Sequence, residues 1–454
     1  MTDLVQQLTA RVRGRVYPSG ADGYDEARAG FQLLDPHRPS VVVAATCAED
    51  VRAAVEAAAA HRCPLAVQAR GHGRTAPAEG VLVSTRRMSA VRVDPQARTA
   101  WVEAGAAWRD VVEAAAPHGL APLSGSFPGV GAVPYTLGGG VGLLARRYGF
   151  ACDHVRRFDL VTPDARLYQV AAESEPDLFW ALRGGGGNFG VVTGMEIDLV
   201  PVSRIYGGHL LFDAAQAPDL LDGWHRWTAG LPEEMTSAVT ALTYPDLPVL
   251  PEALRGRRVA QVQIAYLGSE QEGRRLVEPL RALGPVLRDT LRDLPYTESG
   301  TVFAEPEEPH AYRSRNLLVR DLDPQALAGL ADAAFSSSAP VVTVVGIRHL
   351  GGALARPPRI PAAVGHRDAG YSVTVLSPLE DGQQEAAREA HRAALAPLAD
   401  AALGRSLNFS YWPLDEDEVR SAFAPADYAR LTRLRARYDP HELLRPNHRI
   451  PLAG

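Results

Sequence analysis

The 454-residue chain has no lysine: all 47 of its basic residues are arginine. That absence excludes several chemistries at once. A phosphate-binding loop, a Schiff base to a pyridoxal cofactor and a protein-kinase site each need the ammonium or the free amine itself, so none of them can be built here. Cysteine is scarce too. Cys47, Cys63 and Cys152 have neither an even count nor metal-ligand spacing, so no metal site and no disulfide framework is expected. Free thiols point to a soluble, cytoplasmic protein, with Cys63 and Cys152 as small buried hydrophobes. Long apolar runs are missing: none approaches the ~18–20 residues that cross a bilayer. The N-terminal segment lacks the apolar core of a secretory signal. Nor is there a basic excess. The net charge is -6, against the basic footprint of a nucleic-acid binder.

What is present is a globular composition, 46% hydrophobic and 22% charged, enough for a sizeable core in roughly two or three domain units. The first half alternates strands and helices. Residues 40–45 are a β-branched run. Thr46 stands three residues before Glu49, the pattern of a capping box, and a helix follows over 50–61 until Pro64 stops it. Strands are predicted over 65–69, 81–84, 91–94 and 99–103, and a helix over 107–117 with Gly119 as its stop. A helix over 174–182 carries Pro176 near its first turn, and a strand spans 191–200. Residues 201–402 differ in character. Strand-like runs at 261–266, 317–319, 341–349 and 371–376 alternate with amphipathic helices at 213–227, 271–283 and 381–395. That pattern reads as an α+β unit of four or more strands with helices on one face. The stretch 407–452 reads as a strand, a long loop, a helix over 427–437 and a Pro-rich tail. Three parts are therefore expected: 1–200, 201–402 and 403–454.

Glycine is concentrated in three places. Gly185, Gly187 and Gly190 match the GxGxxG expression. A dinucleotide loop of that kind must follow a strand and open a helix, so that the pyrophosphate meets the helix N-terminus. Here a helix precedes and a strand follows, so the motif is a turn and nothing more. Residues 125–149 contain eight glycines. The segment is apolar and ends in a helical pattern, unlike a flexible linker, which favours close approach of its backbone to a bound group. The third place is the turn after strand 65–69, Gln68-Ala69-Arg70-Gly71-His72-Gly73.

Taken with the run Leu178-Phe179-Trp180-Ala181-Leu182-Arg183-Gly-Gly-Gly-Gly-Asn188-Phe189-Gly190, these segments strongly resemble the vanillyl-alcohol oxidase superfamily of flavoproteins. These have the FAD-binding PCMH-type fold, and the chain is most similar to their berberine-bridge-enzyme-like oxidoreductases. The likeness extends to Arg437-Tyr438-Asp439-Pro440 and Asn447-His448-Arg449-Ile450. It implies an α+β fold with a two-subdomain FAD-binding domain, an antiparallel-sheet substrate domain, and a C-terminal segment that returns to the FAD domain. It also implies FAD, held by Gln68, Ala69, Arg70, Gly71, His72 and Gly73 on the pyrophosphate side. Gly125, Ser126, Pro128, Val130, Gly131, Thr136, Gly138 and Gly139 would lie along the cofactor, and Val192 near the adenine. A Lys-free chain has to hold phosphate with backbone amides at Gly turns, with Arg70 as the nearby cation. His72 stands where the family links the flavin covalently to histidine. The position of a second, cysteine link is Phe127 here, so at most one covalent bond is expected.

The resemblance further implies an oxidoreductase with a small-molecule substrate, an alcohol, a sugar or a secondary metabolite. Val130 occupies a place where oxygen-using relatives often carry Val, so molecular oxygen is the expected acceptor. A dehydrogenase, a redox-neutral cyclase and a non-catalytic flavin binder are the alternatives. The family's strand Tyr-x-Asn-Tyr is Ser406-Leu407-Asn408-Phe409 here. Asn408 is retained for flavin contact and both Tyr are gone. His349, Tyr411 and Tyr371 are the replacement candidates for proton transfer. His349 comes first because imidazole titrates near neutral pH. Tyr135 stands where many relatives place a flavin-side His.

Overall fold

The computed structural model describes residues 2–453 other than 247, 249–251 and 337–340. Three sheets organise the described residues. The first has the order Arg15–Pro18, Val41–Ala44, Val81–Ser84, Leu65–Gln68. Its inner pairings are parallel and its first is antiparallel. The strand Val41–Ala44 is buried at every residue, as a parallel strand covered on both faces requires. The helices Thr2–Arg11 and Ala48–Ala60 pack on it through Leu4, Leu8, Val51, Ala54 and Val55.

The capping box expected at Thr46 is absent. Cys47 is the residue before the helix, and the Thr46 hydroxyl and amide both donate to Asp50, at 2.8 Å each. Asp50 also accepts from the amides of Arg13 and Gly14. These four donors outweigh burial and lower the Asp50 carboxyl pKa. The fully buried Asp50 thus joins the segment after Thr2–Arg11 to the helix Ala48–Ala60 and leaves Glu49 for Arg52 on the surface.

The second sheet is antiparallel, in the order Val91–Asp94, Thr99–Glu103, Val191–Asp198, Val155–Val161, Leu167–Ala171. The helix Trp108–Ala115 buries Trp108 and Val111 in the same core, as the helix Pro176–Leu182 does with Leu178, Phe179 and Trp180. The C-terminal helix Pro425–Tyr438 adds Tyr428, Leu431 and Leu434 to that core, and Leu443 and Leu444 join the core of the first sheet. The C-terminal segment therefore closes on the first half of the chain. Asn188 fixes the closure: its carbonyl accepts from Ile450 N–H and from buried Arg435, and its amide donates to the His448 carbonyl.

The third sheet has nine antiparallel strands. Eight run in the order Val286–Asp289, Arg204–Asp213, Arg258–Tyr266, Met235–Thr243, Val344–His349, Tyr371–Pro378, Tyr312–Val319, Ala402–Gly404, with Arg292–Pro295 also paired to Arg204–Asp213. Helices Leu220–Thr228, Glu270–Arg281, Pro324–Phe335 and Gln384–Leu395 share one core with Leu210, Val239, Val262, Val345, Ile347, Val373 and Val375. Alternation along each strand sends the remaining residues to the opposite face, which is polar: His209, Gln261, Gln263, Thr236, Thr240, Arg348, Ser372, Thr374 and Asn316 share it by register. A sheet with one apolar and one polar face, both of them largely covered, reserves the polar one for something other than core.

Two local expectations are corrected here. Leu407–Phe409 is a single 3-10 turn, and the strand is Ala402–Gly404. Cys63 is only half-buried, whereas Cys152 is fully buried as expected.

Candidate active site

The site lies where the three sheets meet, and it is built around the turn after Leu65–Gln68. Gly71 and Gly73 have φ of +78° and +64°, a backbone that L side chains rarely adopt. A Cβ at Gly71 would meet the Gly30 Cα at 2.7 Å, and one at Gly73 the Tyr411 ring at 2.8 Å. Between them, His72 stacks on Phe31 with centroids 4.0 Å apart and tilts against Phe127 at 5.3 Å. Both ring nitrogens of His72 are buried and unpartnered. Burial, with the Arg70 charge second, pushes its pKa down to about 3, so the ring is a neutral imidazole with a free lone pair. The amides of Gly71 and His72 donate to no acceptor among the described residues.

The flanks of the turn are fully engaged. Gln68 reads the segment before the first sheet: its carbonyl accepts from His37 Nε2 at 3.0 Å and its amide donates to the carbonyls of Arg28 and Ala29. The Ala78 amide donates to His37 Nδ1, which fixes that tautomer. Arg70 donates to the Gly105 carbonyl at 3.1 Å and meets Asp110 at 3.4 Å, so its charge is already answered within the protein. Gly73 N–H donates to the Tyr312 hydroxyl at 2.9 Å, and its carbonyl accepts from Asn447. Asn447 also accepts from the Thr75 amide. Tyr312, which no motif pointed to, and Asn447, which stands in the closing motif, thus brace the His72 turn.

The glycine-rich segment wraps Tyr135. Cβ atoms at Gly125 and Gly140 would meet that ring at 3.0 and 2.5 Å, and one at Gly131 would meet Ala69 at 3.2 Å. The two Gly loops are therefore in contact. The Tyr135 hydroxyl is buried without a partner, and burial raises its pKa. Val130 is half-buried, and its carbonyl accepts from Trp108 N–H. Pro128 accepts from the Arg109 amide, and Gly139 accepts from the Cys152 amide. Thr136 bonds the Ala132 carbonyl within its own helix. Asn408 donates to the Tyr135 carbonyl and lies flat on Gly138, where a Cβ would meet it at 2.0 Å. Val192 is buried in the core of the second sheet.

The three proton-transfer candidates separate. Tyr411 packs on Gly73, with its ring edge-on to Tyr312 at 5.4 Å. Burial raises its pKa, opposed by the Arg348 charge. His349 and Tyr371 are paired across neighbouring strands on the helix-covered face of the third sheet. Their rings stack at 5.5 Å. The Tyr371 hydroxyl bonds Thr228 at 2.7 Å, and His349 Nε2 accepts from Arg146 at 3.0 Å. Burial, then Arg146, lowers the His349 pKa to about 3. Strand alternation turns the neighbouring residue the other way: Arg348 donates to Ser126 at 3.1 Å. The structure thus brings Tyr411 to the His72 turn and Arg348 to Ser126 beside it, packs Tyr371 behind the sheet, and leaves His349, stacked on Tyr371, at the edge of the small cavity that Arg348 also lines.

Buried polar atoms without partners cost ~1–3 kcal/mol each. A cluster of them at His72 and Tyr135, beside unengaged amides at a double-glycine turn, is a cradle for a polar group with phosphate. FAD fits it.

Comparisons with known proteins agree. The family model "FAD binding domain" matches residues 39–171. The chain is 28% identical to (R)-6-hydroxynicotine oxidase of Paenarthrobacter nicotinovorans, over 98% of each chain. It is 27% identical to the FAD-linked oxidoreductase YgaK of Bacillus subtilis, over 97% of each. Among solved structures, 6-hydroxy-D-nicotine oxidase from Arthrobacter nicotinovorans superposes with a TM-score of 0.84 at 25% identity, covering 97% of this chain and 98% of that one. Berberine bridge enzyme from Eschscholzia californica has the same fold, with a TM-score of 0.84 at 18% identity, covering 100% of both.

Proposed function

From the premise that this chain is an FAD-linked oxidoreductase with the PCMH-type fold of the vanillyl-alcohol oxidase superfamily, we propose that it is an oxygen-using oxidase of a small organic molecule. The substrate is oxidised at a carbon bearing oxygen or nitrogen, in the alcohol, sugar-like or secondary-metabolite range. The observation that carries this reading is the His72 turn: a neutral imidazole with two free nitrogens, held rigidly where the Gly loops face the polar side of the third sheet.

Bound FAD supplies the hydride acceptor. The chain's own residues do the rest. His72 is the covalent anchor, and Phe127 beside it leaves that link single. The amides of Gly71 and His72 hold phosphate. Tyr135 and Asn408 line the cofactor, and the small Val130 side chain keeps a path for oxygen. The polar face of the third sheet orients the substrate. Tyr411 handles the proton, because it is the candidate on that face. Support for a small polar substrate also comes from relatives named for 6-hydroxynicotine and from the solved chitooligosaccharide oxidase of the same fold.

The test begins with the visible spectrum before and after acid precipitation. A yellow pellet, and a flavin mass on the tryptic peptide Gly71-His72-Gly73-Arg74, support the tether. Photoreduced enzyme is then mixed with aerated buffer in a stopped-flow instrument. Rapid reoxidation with peroxide release supports the oxidase. Slow reoxidation makes the protein a dehydrogenase or redox-neutral catalyst, and a colourless protein defeats both.

A further inference from the structure

Arg348 is half-buried, and among the described residues no carboxylate answers its charge. The fully buried arginines are closely matched. Arg74 donates to the carbonyls of Gln32, Leu34 and Asp35. Arg146 donates to those of Met235, Leu231 and Leu350. Arg183 donates to those of Phe179, Ile360 and Pro361. Arg313 pairs with Asp35 and Arg435 with Asp439. Arg348 has one acceptor, the Ser126 hydroxyl at 3.1 Å. Its guanidinium lies between two rings, 4.3 Å from the centroid of Phe303 and 5.0 Å from that of Phe409.

Such ring faces favour a cation but do not neutralise it. No carboxylate lies within ion-pair distance of it among the described residues. The charged and titratable groups that act on it are Glu305, Tyr135 and Tyr411. Glu305 is exposed on its loop, and the two phenols are held neutral by burial. Arginine does not escape by losing its proton, and an unpaired charge even partly removed from water costs stability. The position is also distinctive. Arg348 lines a water-sized cavity of about 10 Å³ with Gly142, Thr236, Phe303, Arg146 and His349, and by register its side chain belongs to the polar face of the third sheet. Its partner Ser126 is next to Phe127, which touches His72.

We propose that Arg348 is the specificity-determining residue for an anionic substrate: its guanidinium takes a carboxylate of the molecule to be oxidised, and Phe303 and Phe409 wall the planar part of that molecule. The guanidinium fork matches a carboxylate two bonds at a time, and Ser126 holds one edge of the fork in place. This rests on the oxidase reading above and adds the charge of the substrate to it.

The experiment titrates the FAD-loaded protein with sodium benzoate and, separately, with benzamide, its neutral isostere, following the visible flavin band. Benzoate is expected to give a saturable change at a concentration at least tenfold below that for benzamide. In R348Q the benzoate affinity falls at least tenfold while the flavin midpoint potential is unchanged, and R348K restores part of it. R348K, with its charge intact, carries the test if R348Q fails to fold. In that case its benzoate affinity must lie below that of the natural protein and above its own benzamide affinity. Equal binding of the two probes, or no response to benzoate, overturns the inference. So does an R348Q protein whose flavin potential falls while benzoate still binds, since that assigns the charge to the reduced cofactor. A colourless protein sinks the oxidase reading itself, whereas a yellow one that does not discriminate benzoate sinks only the role of Arg348.

Discussion

Replacing Tyr312 by Phe tests whether the His72 turn is held from the third sheet. Tyr312 is 5% exposed, and its hydroxyl is the acceptor for the Gly73 amide at 2.9 Å. The substitution keeps the ring, so no cavity opens. It removes one atom and leaves a buried N–H without a partner. That costs ~1–3 kcal/mol. At about 2–4 °C per kcal/mol for a unit of 150–250 residues, the melting temperature falls by about 2–12 °C. The turn also loses the bond that fixes the residue after His72, so the fraction of flavin that survives acid precipitation falls with it. Tyr411→Phe is the control. Tyr411 touches the turn through ring carbons, which Phe retains, so its melting temperature stays nearer that of the natural protein. A Tyr312→Phe protein that melts within about 1 °C of the natural one, with its full share of acid-stable flavin, refutes the idea that this bond positions His72.

Acid should destabilise the fold well before its carboxylates titrate. Burial holds His37, His391 and His448 at about 4, below their ordinary 6.5. A depressed histidine pKa means that the fold favours the neutral ring, so its contribution is complete above 6.5 and lost as the pH falls towards 4, by up to about 1.4 kcal/mol per pH unit for each ring. Melting temperatures that are flat between pH 7 and 8 and drop steeply by pH 5 are expected; a flat profile down to pH 5 would contradict the assignment. Gly71→Ala forces a side chain into φ +78° and against the Gly30 backbone, a strain of ~1–3 kcal/mol before any clash, so flavin retention measured by gel filtration should fall sharply. Asp50→Ala strands four donors from Arg13, Gly14 and Thr46. It should cost at least ~3 kcal/mol in denaturant unfolding, and a loss under about 1 kcal/mol would mean that water replaces the carboxylate.

Much of the architecture was legible because its signals are local. The run of Val41, Val42 and Val43, the Pro at the start of Pro176–Leu182 and the Gly-His-Gly turn each announce themselves within a few residues. What escaped depends on contacts across the chain. Arg204–Asp213 is interrupted by Gly207 and Gly208, and Gly208 has φ +135°, so it does not read as a strand until its neighbours are known. Thr46 and Glu49 satisfy the capping pattern, yet Asp50 wins because it alone reaches the amides of Arg13 and Gly14 from the preceding segment. Tyr312 and Asn447 hold the His72 turn from 239 and 374 residues away, and no spacing rule reports such a distance.

Arg348 and His349 show what decides a site once the residue types are known. By chemistry alone the imidazole is the better acid–base group, and the two are adjacent on one strand. A strand sends neighbours to opposite faces, so one of the pair must face the helices and the other the FAD domain. Val345 and Ile347 are core residues beneath the helices. That settles the parity: His349 goes with them to meet Tyr371, and Arg348 goes to Ser126. The sequence 344–349 contains the information, since its apolar positions are 345 and 347, but Val344 is apolar as well and blurs the alternation at the point where it was needed. With parity resolved, the polar face of the third sheet presents a fixed positive charge beside the His72 turn and, near it, a phenol at Tyr411. If Arg348 takes a substrate carboxylate as proposed, such a site would select substrates by charge before acting on them. That is why discrimination between benzoate and benzamide is the sharper first question to put to the protein, ahead of a screen for turnover.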